Sequence, residues 1–170
     1  MSRMAAPDHR ATAPASVVCV VLTVSDTRTA DTDTSGSAIA ELLHSGGHVV
    51  GGRDLVRDEP DDIRQALADA IARDDVDAVL VTGGTGITSR DGTIEIVTAL
   101  LDKRLDGFGE LFRMLSYDAI GAAAMLSRAI AGLARGRIVI AMPGSEHAVR
   151  LAMEKLVLPE LGHLVREARR

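Results

Sequence analysis

The sequence predicts a three-layer α/β/α sandwich around a mostly parallel central sheet. Short Val- and Ile-rich runs (VVCVVLTV, VDAVLV, RIVIAM) alternate with segments whose apolar residues recur every three or four positions. The runs are apolar throughout, the mark of strands covered on both faces, and strand–helix alternation lays helices over both sides of a parallel sheet. With 170 residues, 46% of them apolar and 25% charged, the chain has material for one such domain. Phe108, Phe112 and Tyr117 are its only aromatics, so the core is built from Val, Ile, Leu, Ala and Met.

Residues 1–16 (MSRMAAPDHRATAPAS) show no periodicity and read as a flexible tail before a single domain over 17–166. Val17–Val24 is the first buried strand, and its Cys19 packs as a small apolar residue. A polar loop, SDTRTADTDTSG, leads to a helix with Ile39, Leu42 and Leu43 on one face, ended by Gly46-Gly47. HVVGGRDLV is a second, weaker strand. Pro60 and Asp61 open a helix in which Ile63, Leu67 and Ile71 align.

VDAVLV is the third strand and runs into a glycine-rich loop. Thr93–Leu101 is helical, with Ile94, Val97 and Leu101 on one stripe. Residues 102–110 read as a connector, and Leu111–Leu126 as one or two Ala/Met-rich helices. RIVIAM is a further strand, ended by Pro143-Gly144. His147–Arg166 is helical, with a bend near Pro159.

Composition excludes several classes of function. A net charge of −5 and the shortage of aromatic platforms argue against nucleic acid as a partner. No apolar run approaches the roughly 18 residues of a membrane span. Arg3 and Arg10 precede an apolar stretch, but it is short, holds Thr23 and runs into an acidic loop without a small-residue cleavage pattern. The expected location is therefore the cytoplasm. A single cysteine cannot form an intrachain disulfide.

Ligands of such sheets bind outside the carboxyl ends of the strands, which singles out residues 25–36, 83–92 and 143–146. Thr82-Gly83-Gly84-Thr85-Gly86 is the strongest local signal. Its glycines let the backbone approach a ligand closely, and successive amides can form an anion-binding nest. The same residues also suit a tight strand-to-helix turn with no ligand. Ser89 stands where a dinucleotide fingerprint needs its third glycine, and no lysine is present for a P-loop.

Asp91 is placed either as a magnesium ligand beside bound phosphates or as the N-cap of the helix starting near Thr93. Asp58 either faces the same site or belongs to the solvated run DEPDD. Pro143-Gly144-Ser145 forms a rigid turn with exposed amides and a hydroxyl. Ser116, Ser127 and Arg128 contact a phosphate only if their segments border the site. His44 and His48 have metal-like spacing, but Gly46-Gly47 interrupts the helix between them. No thiolate cluster, HExxH or GxSxG motif is present.

Taken in order, VSDTRTADTDTSG, Gly47-His48, RDEPDDI, TGGTGITSRDGT, GFGELFR, MLSRAIAG, MPGS and LPELGHL resemble the MoaB/Mog family of molybdenum cofactor biosynthesis, which includes the G domain of gephyrin. The match spans roughly residues 16–165. It implies an α/β/α sandwich assembled as a homo-oligomer, a trimer or a hexamer. It also implies Mg-dependent adenylylation of molybdopterin, whose phosphate attacks the α-phosphorus of ATP and releases pyrophosphate.

Carried over by motif, Gly83, Gly84, Thr85 and Gly86 hold nucleotide phosphates, and Asp58 and Asp91 serve magnesium and transfer. Ser116, Ser127, Pro143, Gly144 and Ser145 line the pocket. Ser25, Asp26, Thr82, Arg90 and Arg128 complete the expected ligand-binding set. One departure stands out: Glu146 follows the PGS turn where members often carry proline, and a carboxylate there repels a phosphate unless it turns outward. The resemblance leaves a second reading, a non-catalytic oligomer that binds molybdopterin or its adenylylated form, or serves as a scaffold for other molybdenum cofactor enzymes of the same pathway, without turning over ATP. A nucleotide hydrolase is a third, and it lacks an identifiable water-activating base.

Overall fold

Residue parity along the strands decides which layer each side chain joins. The computed structural model describes residues 12–170, so residues 1–11 of the expected tail lie outside the described chain. Its elements run β1 (Val18–Val24), α1 (Thr34–Ser45), β2 (Val49–Val56), α2 (Pro60–Ala72), β3 (Ala78–Thr82) and α3 (Thr93–Leu100). They continue with β4 (Lys103–Arg104), α4 (Asp106–Ile120), a 3-10 turn (Gly121–Leu126), β5 (Ile130–Ala134), β6 (Arg137–Met142), α5 (Glu146–Ala152) and α6 (Leu158–Ala168).

The sheet order is β2-β1-β3-β6-β5-β4. The first four strands are parallel, and β5 and β4 are antiparallel to their neighbours. Cys19, Val21, Leu80, Ile138, Ile140 and Met142 point to one face, where they pack with Ile39 and Leu43 of α1, Phe112 of α4, Val149 of α5 and Leu161 of α6. Val20, Leu22, Val79, Val81 and Val139 point to the other, against Ile63 and Leu67 of α2 and Val97 of α3. Each fully buried aliphatic side chain contributes about 1.5–3 kcal/mol, so a doubly covered sheet gathers stabilisation along its whole length. No helix among the described residues is long and apolar enough to cross a membrane.

The second half of the chain departs from expectation in three places. β5 was not foreseen, because IAGLA is short and lacks the Val-rich signature. It pairs antiparallel with β6 through a two-residue turn in which Arg135 and Gly136 have φ of 50° and 74°. Two positive φ values are the geometry of a tight hairpin turn, normally announced by Asn-Gly. Arginine hid it. The backbone N–H of Arg135 donates to Asp102 Oδ2 at 2.7 Å, which ties the turn to the segment just before β4.

Residues 102–110 are not a plain connector. They include β4, and α4 begins at Asp106 despite two glycines in its first turn. A Cβ on Gly109 would sit 2.8 Å from the Ala129 carbonyl oxygen, so glycine there permits a close approach of helix to chain. Leu111–Leu126 divides in two, one of the two arrangements expected, where Gly121, at φ 65°, ends α4. The last helical segment is interrupted by a π turn over Met153–Val157, with Leu158 N–H bonded to Met153 O. The wider turn accommodates Pro159, which has no N–H to continue the regular ladder.

Two features place the site. The strand ends lie level: Val24 pairs with Val56, Thr23 with Thr82, and Thr82 with Met142. From β1 the chain moves to β2 on one side and later to β3 on the other, so the topological switch point lies between β1 and β3.

Leu80 is fully buried on the central strand β3. Leu80→Ala is expected to destabilise the fold by about 2–5 kcal/mol, read as the loss in urea-unfolding free energy.

Candidate functional site

Four chain segments leave the level strand ends side by side, and their backbones lock together. Gly83 and Gly84 have φ of 93° and 62°, conformations that glycine adopts at no steric cost. A side chain on Gly83 would overlap the Val24 carbonyl oxygen. The Gly83 N–H donates to Met142 O at 3.2 Å, and the Thr93 N–H donates to Gly84 O at 3.0 Å. The hydroxyl of Thr82 donates to Pro143 O at 2.9 Å, and that of Ser35 to Gly144 O at 2.6 Å. A Cβ on Gly144 would stand 3.1 Å from Gly83 Cα, so the two glycine turns touch. Among the described residues, the N–H groups of Gly84, Thr85, Gly144 and Ser145 have no protein acceptor.

Acidic groups surround this backbone knot in contrasting states. Asp58 Oδ1 and Thr93 Oγ1 are buried without a hydrogen-bond partner. Both face Gly84, where a Cβ would lie 3.1 Å from the former and overlap the latter. Burial, reinforced by the charges of Asp91 and Asp26, pushes the Asp58 carboxyl above the usual carboxylate range. Asp91 is held the other way. Its Oδ2 accepts from Thr88 Oγ1 at 2.7 Å and Thr88 N at 3.0 Å, and the hydroxyl bond, against the cost of burial, keeps its pKa below the usual range. The N-cap of α3 is Gly92. Asp91 is therefore not the helix cap that the sequence left open, and it braces its own loop instead.

The remaining expected residues divide between the cleft and its frame. Arg90 donates to Asp26 Oδ2 at 2.7 Å and Glu59 Oε1 at 2.9 Å, and this bond holds the Asp26 carboxyl below its usual range. Asp26 Oδ1 accepts the Asp58 N–H at 3.0 Å. Ser25 Oγ accepts from the N–H groups of Thr27 and Arg28 and closes its own turn. Arg128 donates to Gly86 O at 2.8 Å and pairs with Glu95.

Ser116, Ile120, Leu126, Ser127, Pro143 and Ser145 line a cavity of about 240 Å³. Segments distant in sequence meet there, and the Pro143–Ser145 turn joins the cavity to the glycine loop. Ser145 also caps α5 by accepting from Ala148 N at 3.2 Å. Glu146 is drawn along α5 to Arg150, Oε1 to Nε 3.0 Å, and Arg150 also pairs with Glu41. Its charge is thus partnered rather than left facing the turn. His48 serves a backbone contact, its Nδ1 accepting from Val17 N at 3.2 Å.

Among the described residues no group of three or more His, Cys, Asp or Glu side chains converges as a metal cage. Asp58 and Asp91 nevertheless fit a hard cation that keeps its waters and takes phosphate oxygens as further ligands, since such ions need only one or two carboxylates. The orphaned Asp58 Oδ1 is the observation in favour. Sequence reasoning passed over Ser35 and Thr93. Ser35 follows the capping Asp33 within DTSG, and Thr93 follows Asp91-Gly92, but the partner of the first lies 109 residues away.

The fold and site define a class: a parallel-sheet α/β sandwich with a candidate ligand cleft at its switch point. The family model described as "Probable molybdopterin binding domain" matches residues 20–163. The molybdenum cofactor biosynthesis protein B of Bacillus cereus is 54% identical over 168 residues, which cover 98% of this chain and 99% of that one. A crystal structure of a molybdenum cofactor biosynthesis protein B matches with a TM-score of 0.90 at 55% identity, covering 93% of this chain and 99% of that one. The tungsten cofactor synthesizing protein MoaB from Pyrococcus furiosus matches with a TM-score of 0.82 at 40% identity, covering 93% and 100%. The chain belongs to the MoaB/Mog family of molybdenum cofactor biosynthesis proteins.

The raised pKa of Asp58 has a testable sign. A carboxyl whose folded pKa lies above its unfolded value contributes stability at low pH, and that contribution is lost as pH rises through the folded pKa. Asp58→Asn is therefore expected to be more stable than the unmutated protein at pH 7, with the gap closing toward about pH 4. Urea unfolding across that range checks it, and a gap independent of pH contradicts it.

Proposed function

We propose that this protein transfers the adenylyl group of ATP to molybdopterin. The observation that carries the reading is the contact between two glycine turns. Together they offer four unpaired amides, those of Gly84 and Thr85 on the side of the orphaned Asp58 oxygen and those of Gly144 and Ser145 on the turn that borders the Ser116–Ser127 cavity. A donor-rich, acid-flanked cleft next to a compact cavity suits two phosphorylated ligands brought together.

In the reaction an oxygen of the molybdopterin phosphate bonds to the α-phosphorus of ATP. The bond from that phosphorus to the bridging oxygen breaks, and pyrophosphate leaves with the electron pair. Such transfer asks the protein for positioning and charge stabilisation rather than a covalent nucleophile. The amides of Gly84 and Thr85 take phosphate oxygens, and the Pro143–Ser145 turn orients the pterin. Asp58 and Asp91 would hold Mg²⁺, which when bound would supply charge neutralisation on the triphosphate. ATP as substrate puts the protein in the cytoplasm.

We also propose a homo-oligomer, a trimer or a hexamer. On α4, Leu111, Met114, Tyr117 and Ile120 are 47%, 56%, 63% and 50% exposed, and Met125 beyond it is 81% exposed. Exposed apolar side chains clustered along one segment are of the kind that a second copy covers. Light scattering at micromolar concentration is expected to give a trimer or hexamer mass, and a monomer mass rejects the assembly.

Incubation with molybdopterin, Mg²⁺ and ATP is expected to yield adenylylated molybdopterin and pyrophosphate. Asp91→Asn keeps an oxygen for the Thr88 contacts while removing the charge. Turnover is expected to fall about 100-fold, the ~3 kcal/mol typical of one lost preorganised contact, with molybdopterin binding retained. Turnover within threefold of the unmutated enzyme rejects the role of Asp91. Molybdopterin binding without any transfer identifies a binding protein instead.

A further inference from the structure

We infer that Ser35 is a positioning residue for the molybdopterin side of the cleft, acting through the Pro143–Gly144–Ser145 turn. The inference rests on the reading above. It starts from two hydroxyls on different elements, Ser35 at the start of α1 and Thr82 at the end of β3. They donate to the consecutive carbonyls of Gly144 and Pro143 at 2.6 and 2.9 Å. All peptide bonds of the described chain are trans, so each C=O points opposite to the N–H of the following residue. Anchoring both carbonyls inward therefore turns the N–H groups of Gly144 and Ser145 outward, to the open side of the turn. Neither has an acceptor among the described residues. The turn thus presents two adjacent donors where Pro143 and Ser145 border the cavity.

Ser35 can hold that geometry because it is itself held. It is buried in the first turn of α1, whose N-cap Asp33 is also buried. Asp33 accepts from Gly36 N at 2.9 Å, Thr23 Oγ1 at 2.8 Å and Arg53 Nη2 at 2.9 Å. Burial alone would raise its pKa, but these bonds outweigh that cost and keep it ionised. A side chain on residue 36 would overlap the Asp33 carboxylate, so Gly36 is part of the device. The chain of contacts runs from β2, through Arg53 and Asp33, to Ser35 and the turn. Ser35 touches no substrate. It fixes the orientation of the groups that do.

Ser35→Ala removes the donor at little cost in volume. The test measures molybdopterin affinity, ATP affinity, kcat and KM on the full chain, with thermal melting as control. Thr82→Val, which removes the other hydroxyl and keeps the shape, is the matched second variant. In each, KM and Kd for molybdopterin are expected to rise about tenfold, the effect of losing one buried anchoring bond. In Ser35→Ala, ATP affinity is expected to stay within twofold and kcat within threefold. Parallel loss of ATP and molybdopterin affinity, tracking a lower melting temperature, overturns the inference and makes Ser35 a stability residue. Unchanged molybdopterin affinity in Ser35→Ala overturns it too, while leaving the proposed function standing. Failure of the unmutated protein to bind molybdopterin overturns the proposed function itself, and the inference with it.

Discussion

Because Thr23, Thr82 and Met142 are neighbours across the sheet, the chain leaves β1, β3 and β6 at one level. The loops that follow are held within hydrogen-bond reach of each other before any loop residue adds its own preference. Register in a sheet covered on both faces is strongly specified, since a slip of one residue moves every side chain to the opposite layer. The two cores therefore do more than stabilise the fold. By fixing parity they fix where the strands stop, and with that the contact between Gly83 and Gly144.

On this edge the polar groups fall into two kinds. Asp33 and Asp26 have hydrogen-bond donors around them and pKa values held down, so they serve as anchors, and Asp91 is kept ionised in the same way by Thr88. Asp58 has an oxygen with no partner and a pKa pushed up by burial and by its acidic neighbours. A buried carboxylate oxygen without a partner costs stability, and such a cost concentrates where a ligand later relieves it. The unpaired amides of the two turns are the complementary half of the same arrangement. Arginines that a sequence reader assigns to the ligand are occupied with the frame: Arg90 ties three loops through Asp26 and Glu59, and Arg128 braces Gly86 against Glu95.

Much of the first half of the fold was legible because its signals are local. The Val-rich runs, the Pro60 start and the Gly46-Gly47 stop each act within a few residues. Legibility faded where local signals compete with tertiary contacts. β5 depends on its pairing with β6, and its turn uses arginine where asparagine is usual. The early start of α4 depends on glycine packing against a distant carbonyl. The π turn before Pro159 is a backbone response that no residue pattern announces.

The sequence by itself determined the layer architecture, the glycine loop after β3 and the set of carboxylates and hydroxyls available to a site. Its motifs in order also carried the family. These follow from composition, periodicity and turn chemistry, which act over short distances along the chain. Only the tertiary structure decided how each of those groups is held. Asp91 and Asp58 read alike in sequence, yet one is braced by Thr88 and the other has one buried oxygen without a partner. Ser35 and Gly144 are 109 residues apart, and the bond between them exists because parallel strands bring the ends of β1 and β6 to one edge. Hydrogen bonding is settled by distances of a few ångströms, and those are set by the packing of the whole sandwich.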